Sequence, residues 1–375
     1  MEFRGLKAQY KKYKKEIDSA IESVLVKGVY IGGDEVSILE RRLAEYIGVK
    51  HCVSCANGTD ALSLVLMAWK IKEKDAVFIP DFTFFATGEV VSFEGATPVF
   101  VDVKRDTFNM DTIKLEKAIV KTLEEGALEP KVIIPVDLFG LPANYDEIER
   151  IAKKYNLLIL EDAAQGFGGS IDSEMACSFG DAATTSFFPA KPLGCYGDGG
   201  AIFTNDDKLA GLLNSLKVHG KGEDKYDNVR IGMNSRLDTI QAAILNVKLT
   251  AFIEHEINDM NRVAQWYAKR LKGIVEVPVI PKGYISSFAQ YTIKLQNKAE
   301  RDKLQTNLKK AGIPTTIYYS KPIHEQKAFE NIEYNVENLK TTKTLVDVVL
   351  SLPMHPYLCE EDVERICQEI NQHLS

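Results

Sequence analysis

An α/β layered fold with a largely parallel sheet, followed by a smaller α+β unit, is the architecture this sequence predicts. Two observations carry that expectation. Through the first two thirds of the chain, short apolar runs of strand length alternate with apolar residues at helical spacing, the pattern of βαβ crossovers. Near residue 250 the texture changes, and a half-exposed strand pattern and further helices follow one long helix. The boundary is accordingly set between residues 250 and 251, giving a large unit at 1–250 and a small one at 251–375.

The elements follow in order. Ile17–Val26 and Glu35–Ile47 carry apolar residues at helical spacing. Asn57-Gly58-Thr59-Asp60 is a helix-start signal ahead of the apolar run Ala61–Ala68. Ala76–Ile79, Pro98–Val101, Val132–Val136, Leu157–Leu160, Ala182–Phe188 and Ala201–Thr204 read as strands, several of them buried on both faces. Helices over Ala86–Phe93 and Tyr145–Tyr155 lie between them. Past the strands, one helix is expected from about Thr239 to Leu271, then a strand at Gln290–Leu295 and a helix at Lys298–Ala311. A turn at Gly312–Pro314 leads into Thr315–Tyr319, and an amphipathic helix closes the chain at Glu360–His373.

Composition narrows the function classes. The chain has 375 residues, 45% hydrophobic and 26% charged, the balance of a globular protein with ample core. A net charge of −7 argues against general nucleic-acid binding, which wants a basic face. The start is polar and basic with no apolar run behind it, and the apolar helical stretch Ala61–Trp69 is too short to span a bilayer, so a cytoplasmic protein with no membrane partner is expected. The six cysteines show no secreted disulfide framework. Cys52 and Cys55 form a C-x-x-C, but no second Cys/His pair stands at ligand spacing, so both are read as ordinary thiols. No metal constellation and no G-x-S-x-G elbow is present.

Four segments follow or end predicted strands, where parallel sheets collect ligands. Leu160-Glu161-Asp162-Ala163-Ala164-Gln165 ends an apolar strand in two acids and an amide, which suits a ring nitrogen, a metal, a ribose or simply a turn cap. Ser186–Gly200 places Lys191 in an apolar stretch before a glycine-rich turn. Desolvation makes such a lysine a nucleophile for carbonyls, and the glycines would let backbone approach a ligand closely. Asn57-Gly58-Thr59 at a helix N-terminus suits phosphate, or is a plain cap. Pro80–Phe85 offers aromatics that stack on a flat ring or fill the core.

On these residues the sequence resembles the DegT/DnrJ/EryC1/StrS family of nucleotide-sugar aminotransferases. The likeness runs from Glu2–Lys7 to Ser351–Leu358, and the pairing of Ser186-Phe-Phe-Pro-Ala-Lys191 with the upstream Glu161–Gln165 is its most specific part. The resemblance implies the type I fold of pyridoxal-phosphate enzymes, a large three-layer domain with a smaller C-terminal one. It also implies the roles. Lys191 would carry pyridoxal 5'-phosphate covalently and later shuttle a proton. Asp162 would pair with the ring nitrogen, Gln165 would contact the phenolic oxygen, and Phe84 would stack on the ring. Gly58, Thr59 and Ser186 would hold the phosphate. Asn234 matches a residue that reaches the neighbouring subunit's cofactor, which implies a homodimer with shared sites. Arg236, Tyr318 and Tyr319 are the substrate-side candidates, and His324 and His355 are further residues for the pocket.

The implied reaction takes an amino group from L-glutamate and gives it, in a second half-reaction, to a nucleotide-linked keto-sugar. Within the family the likeness is greatest to enzymes aminating C3 of a UDP-linked 3-keto-hexuronic acid for bacterial surface polysaccharide, including lipopolysaccharide. Tyr318-Tyr319 stands where those enzymes carry a histidine-tyrosine pair, so a neutral 3- or 4-keto-6-deoxy sugar on UDP or dTDP is the alternative substrate. A dehydratase of the same family would replace Lys191 by histidine, a nicotinamide dehydrogenase would need the missing G-x-G-x-x-G, and a non-catalytic cofactor-binding regulator is the reading from another class.

Overall fold

The computed structural model describes residues 1–224, 226–332 and 339–374. Seven strands form the central sheet: β1 (His51–Cys55), β2 (Asp75–Pro80), β3 (Thr97–Val101), β4 (Glu129–Ile133), β5 (Leu158–Asp162), β6 (Ala182–Ser186) and β7 (Gly200–Thr204). Their spatial order is β1-β7-β6-β5-β4-β2-β3. Neighbours from β6 through β3 pair in parallel. Only β7 runs against its neighbours, antiparallel to both β1 and β6.

Strand residues alternate between two cores, as the period of two demands. Val77 and Ile79 of β2 enter one core with Leu62, Leu66, Val90 and Leu213 from helices on that side. Ala76 and Phe78 enter the other with Leu115, Ile119, Ile148 and Ile151. A sheet clothed by helices on both faces is the three-layer arrangement expected. Each face is sealed by residues that are almost fully buried, which is why the strands read as continuous apolar runs.

The expected strand Val132–Val136 is shifted. The ladder covers Glu129–Ile133, and beyond it Val136 makes only an isolated bridge to Asp162. Pro135 interrupts it, because it has no N–H to give, although its carbonyl still accepts from Asp162 N at 2.9 Å. The strand β1 and the helices Thr112–Glu125 and Asp207–Leu216 were not anticipated. β1 also disposes of the C-x-x-C. Residues three apart on a strand face opposite sides, so Cys52 joins one core and Cys55 the other. Burial pushes both thiols up, Cys55 to about 12.

The long helix expected over Thr239–Leu271 is helical throughout but not uniform. Thr239–Ala251 and Ile257–Leu271 are α-helical and join through a five-residue π turn, Phe252–Glu256, so the expected boundary between 250 and 251 lies in the last turn of the first of these helices. A separate core follows, built on the antiparallel pair β8 (Tyr291–Lys294) and β9 (Val349–Leu352) and covered by helices Ile257–Leu271, Lys298–Lys310 and Glu360–Leu374. In the Thr315–Tyr319 segment only Thr316 bridges to Ser351. The N-terminus is tied to this smaller unit: Arg4 Nη1 donates to Ala289 O at 2.7 Å and Met354 O at 3.0 Å. Among the described residues no helix is long and apolar enough to cross a membrane.

Candidate active site

The carboxyl ends of β1, β2, β5 and β6 converge on one cleft. Asp162 ends β5 and is 5% exposed. Thr87 Oγ1 donates to its Oδ2 at 2.8 Å and Ala164 N to its Oδ1 at 3.2 Å. Burial raises the carboxyl above its usual range, and the Thr87 hydrogen bond and the nearby Lys191 ammonium pull against that rise. The result is a carboxylate with two neutral donors and room for a cationic one.

Lys191 lies in the loop after β6, its own N–H donating to Phe188 O at 2.8 Å. Its side chain keeps only a small part of its surface exposed, and protein atoms crowd the amine from most directions. That crowding lowers its pKa to about 8; Asp162 opposes the shift and Arg4 adds to it. An amine that is partly neutral near physiological pH attacks carbonyls. Capture of a carbonyl cofactor by the cofactor-free protein is therefore expected to accelerate with pH, with a midpoint near 8. A stopped-flow profile that is flat across that value would contradict this. Lys248, also buried, is lowered to about 8. Both lysines bind protons less tightly in the folded than in the unfolded chain. Between about pH 8 and the ordinary lysine value of 10.5 the unfolded chain holds more protons, so the penalty of these two groups is full below 8 and relieved as pH rises through that window.

The other end of the site is the start of helix Gly58–Ala68. Asn57 caps it, Oδ1 accepting from Asp60 N at 2.8 Å, which leaves the N–H groups of Gly58 and Thr59 without a partner further back in the helix. Gly58 is pressed on Ser186: a Cβ there would stand 2.8 Å from Ser186 Cβ and 3.3 Å from its Oγ. A small residue is thus required where the helix start meets Ser186. Gly58→Ala is expected to displace Ser186 and weaken cofactor binding by about 10- to 100-fold, the value of one charge-assisted hydrogen bond, with the fold retained. Fluorescence titration of the cofactor-free variant checks this, and an unchanged affinity would refute it.

Gln165, 3% exposed, is held at both ends of its amide. Its Oε1 accepts from Phe139 N at 2.9 Å and its Nε2 donates to Tyr319 OH at 3.1 Å, leaving one amide hydrogen for a ligand. Phe84 is 54% exposed in the cleft, its ring centroid 6.4 Å from that of Tyr319. A large aromatic left open beside a polar cluster fits a flat ring that covers it.

The structure thus gathers Asp162, Lys191, Gln165, Tyr319 and Phe84 on one side and Gly58, Thr59 and Ser186 on another. Asn234 is exposed and Arg236 half-buried on the segment after residue 217, and among the described residues neither hydrogen-bonds to Lys191 or Asp162. Their neighbour Ser235 accepts at Oγ from Ala56 N at 3.0 Å, which sets the segment against the phosphate end. Tyr318 packs toward Phe3, centroids 6.4 Å apart.

One expectation needs correction. The glycines after Lys191 do not open backbone to a ligand. A Cβ on Gly194 would lie 2.5 Å from Pro189 O, and one on Gly200 2.4 Å from Asn57 O, so these positions are small because the turn folds onto its own backbone and onto the helix start. Sequence reasoning missed Thr87, and gave no role to Asp81. Fully buried Asp81 accepts from His324 N at 2.9 Å and bonds His324 Nδ1 at 2.7 Å, clamping the segment after Tyr319 onto the loop that carries Phe84.

A buried carboxylate, an amine of lowered pKa, an open aromatic face and a helix N-terminus together fit a flat ring bearing a basic nitrogen, a carbonyl and a phosphate. Comparison with known proteins agrees. The model of the DegT/DnrJ/EryC1/StrS aminotransferase family matches residues 11–371. The chain is 46% identical over 370 residues, 98% of each protein, to the UDP-2-acetamido-2-deoxy-3-oxo-D-glucuronate aminotransferase of Pseudomonas aeruginosa. It is 39% identical to a pleiotropic regulatory protein of Geobacillus stearothermophilus, across 97% of this chain and 96% of the other. A crystal structure of a DegT DnrJ EryC1 StrS aminotransferase from Brucella abortus superposes with a TM-score of 0.96 at 51% identity, covering 99% of both chains. The chain belongs to the DegT/DnrJ/EryC1/StrS aminotransferase family.

Proposed function

We propose that this protein is a pyridoxal-phosphate-dependent aminotransferase that aminates C3 of a UDP-linked 3-keto-hexuronic acid, with L-glutamate as donor. The observation that carries the chemistry is the buried Asp162 carboxylate, held by Thr87, beside an amine of lowered pKa at Lys191. The substrate class rests on the likeness to the Pseudomonas aeruginosa enzyme.

When bound, the cofactor supplies an electron sink for the carbanion formed at the amino carbon. The chain's own residues do the rest. Asp162 holds a proton on the ring nitrogen, because its buried carboxylate accepts hydrogen bonds only from the neutral donors Thr87 Oγ1 and Ala164 N among the described residues. Phe84 covers one face of the ring, and Gln165 orients its oxygen-bearing edge with the free amide hydrogen. Gly58 and Thr59 N–H groups, with the Thr59 and Ser186 hydroxyls, bind the phosphate. Lys191 first anchors the cofactor and then, as a free amine, moves the proton between substrate carbon and cofactor. Asn234, exposed on its own protomer, serves the phosphate of a partner's site in a homodimer, and Arg236 takes a substrate carboxylate or phosphate. Tyr318 and Tyr319 border the sugar.

The test is to convert the yellow protein to its amine form with L-glutamate, then add UDP- and dTDP-linked 3-keto and 4-keto sugars separately. Return of the visible band with the UDP-linked 3-keto-hexuronic acid, and not with neutral 6-deoxy sugars, is the expected result. A response only to the deoxy sugars would move the substrate to that class. The name of the Geobacillus relative favours a second reading, a cofactor-binding regulator. No return of the band with any keto-sugar would favour it.

A further inference from the structure

A small cavity of about 30 Å³ opens against Lys191 from a side that Asp162, Gln165 and Ser186 do not line. Distant parts of the chain build it: Arg4 and Gln9 from the N-terminus, Lys248 from the helix before the π turn, Glu256 from the π turn itself, and His355 and Tyr357 from the segment after β9. Three of the lining residues each carry a buried polar atom without a hydrogen-bond partner among the described residues: Arg4 Nε, Gln9 Oε1 and His355 Nδ1. Gln9 is 8% exposed and His355 6%, so bulk solvent does not serve them. Orphan polar atoms of this kind are rare in native interiors and cost about 1–3 kcal/mol each. Three around one cavity point to a resident ligand.

The chemistry of the three atoms selects that ligand. Arg4 Nε is a donor and Gln9 Oε1 an acceptor. An anion satisfies the first and is repelled by the second, and a cation does the reverse. Water satisfies both, and the cavity exceeds the roughly 10–15 Å³ that one water needs. The neighbours extend the network. Gln9 also bonds the Tyr357 hydroxyl, which donates to Glu256 Oε1. Tyr13 adjoins Tyr357, and its hydroxyl bonds His255 Nε2 at 2.8 Å near the surface.

We propose that this cavity is a built water site, in which one water accepts from Arg4 Nε, donates to Gln9 Oε1 and joins Lys191 to the chain Tyr357–Glu256. The inference rests on the reading of Lys191 as the cofactor-bearing amine. Lys191 must gain and lose a proton while buried, and a water at its back solvates the charged form that the cleft does not. Gln9 and Tyr357 are positioning residues that act through this water. The other charged groups around the amine are accounted for: Asp162 favours its ammonium form and Arg4 opposes it. Lys248 is engaged with Gly194 O, Glu256 is held by Tyr357, and burial beside Arg4 keeps His355 neutral, its pKa lowered to about 4.

Two measurements test this. A crystal structure at a resolution that shows ordered water should contain a peak within hydrogen-bond distance of Arg4 Nε and Gln9 Oε1. The pH midpoint of cofactor capture should move in opposite directions in two variants. Gln9→Met dries the site and moves it down by about half to one unit, and Gln9→Glu keeps an acceptor, adds negative charge and moves it up. A general packing defect would slow capture in both without splitting the midpoints. No bridging peak, or midpoints that coincide in the two variants, overturns the proposal. A Lys191→Ala protein that still captures cofactor would instead overturn the reading of Lys191, and is told apart because the water peak remains.

Discussion

Lys191→Ala is expected to abolish the visible absorption band of the cofactor-loaded protein and to reduce transamination by more than the roughly 10²- to 10⁴-fold that a general acid-base contributes alone, because covalent anchoring is lost with it. The structure offers a sharp control. Lys248 is a second buried amine, also lowered to about 8, so low pKa alone does not identify the nucleophile. Geometry does. An N–H of the Lys248 ammonium donates to Gly194 O and the group lies 5.1 Å over the Tyr196 ring, so it is engaged in structural contacts. Lys191 faces the cleft with Asp162 as its electrostatic partner. Lys248→Met, which keeps the volume and removes the charge, should retain the band, because replacing a buried charge by an apolar side chain of similar size is often tolerated. Absorption spectra of both variants before and after L-glutamate decide the matter. A band that survives in Lys191→Ala and vanishes in Lys248→Met would reverse the assignment.

Much of this was legible in the chain. The strands read as unbroken apolar runs because both sheet faces are covered, and their carboxyl ends pointed to the segments 160–165 and 186–200, while the roles of Asp162, Ser186 and Lys191 came from the family resemblance. Other features left no trace in the pattern. The direction of β7 is one, since hydrophobic periodicity marks a strand but not its orientation. β1 is another: the five residues His51–Cys55, read only as carrying two ordinary thiols, hold too few aliphatic side chains to mark a strand. Thr87 bonds Asp162 across 75 residues, a pairing that only the folded sheet creates. The cavity behind Lys191 is the extreme case. Arg4 and Gln9 meet His355 and Tyr357 from opposite ends of the chain, and apart from His355, already named as a residue for the pocket, no local signal distinguishes them from surface polar ones. The glycine-rich turn failed differently: the need for small residues was visible, but what they make room for was not.

Asp162→Asn should separate function from stability. In the cofactor-free protein the carboxylate is buried, and burial raises its pKa despite Thr87 and Lys191. A raised folded pKa means that the ionised form is a cost, absent while the acid is protonated and fully felt once pH climbs above the folded value. A neutral amide avoids it. Thr87 retains a hydroxyl partner in Thr83 at 3.4 Å, and the amide oxygen still accepts from Ala164 N. The cofactor-free variant is therefore expected to melt at or above the wild-type temperature near neutral pH. That difference should shrink as pH falls through the carboxyl's own range, where the wild type becomes neutral too. Turnover should fall by on the order of 10²- to 10⁴-fold, since an amide cannot hold the proton on the ring nitrogen and the developing carbanion loses its sink. Calorimetry of the cofactor-free proteins and single-turnover kinetics with L-glutamate read the two effects independently. A variant that is markedly less stable than wild type would make Asp162 a structural acid, and one that turns over at the wild-type rate would remove it from the chemistry. Greater stability with lost activity is what a site holds when a buried charge is kept for the ligand that neutralises it.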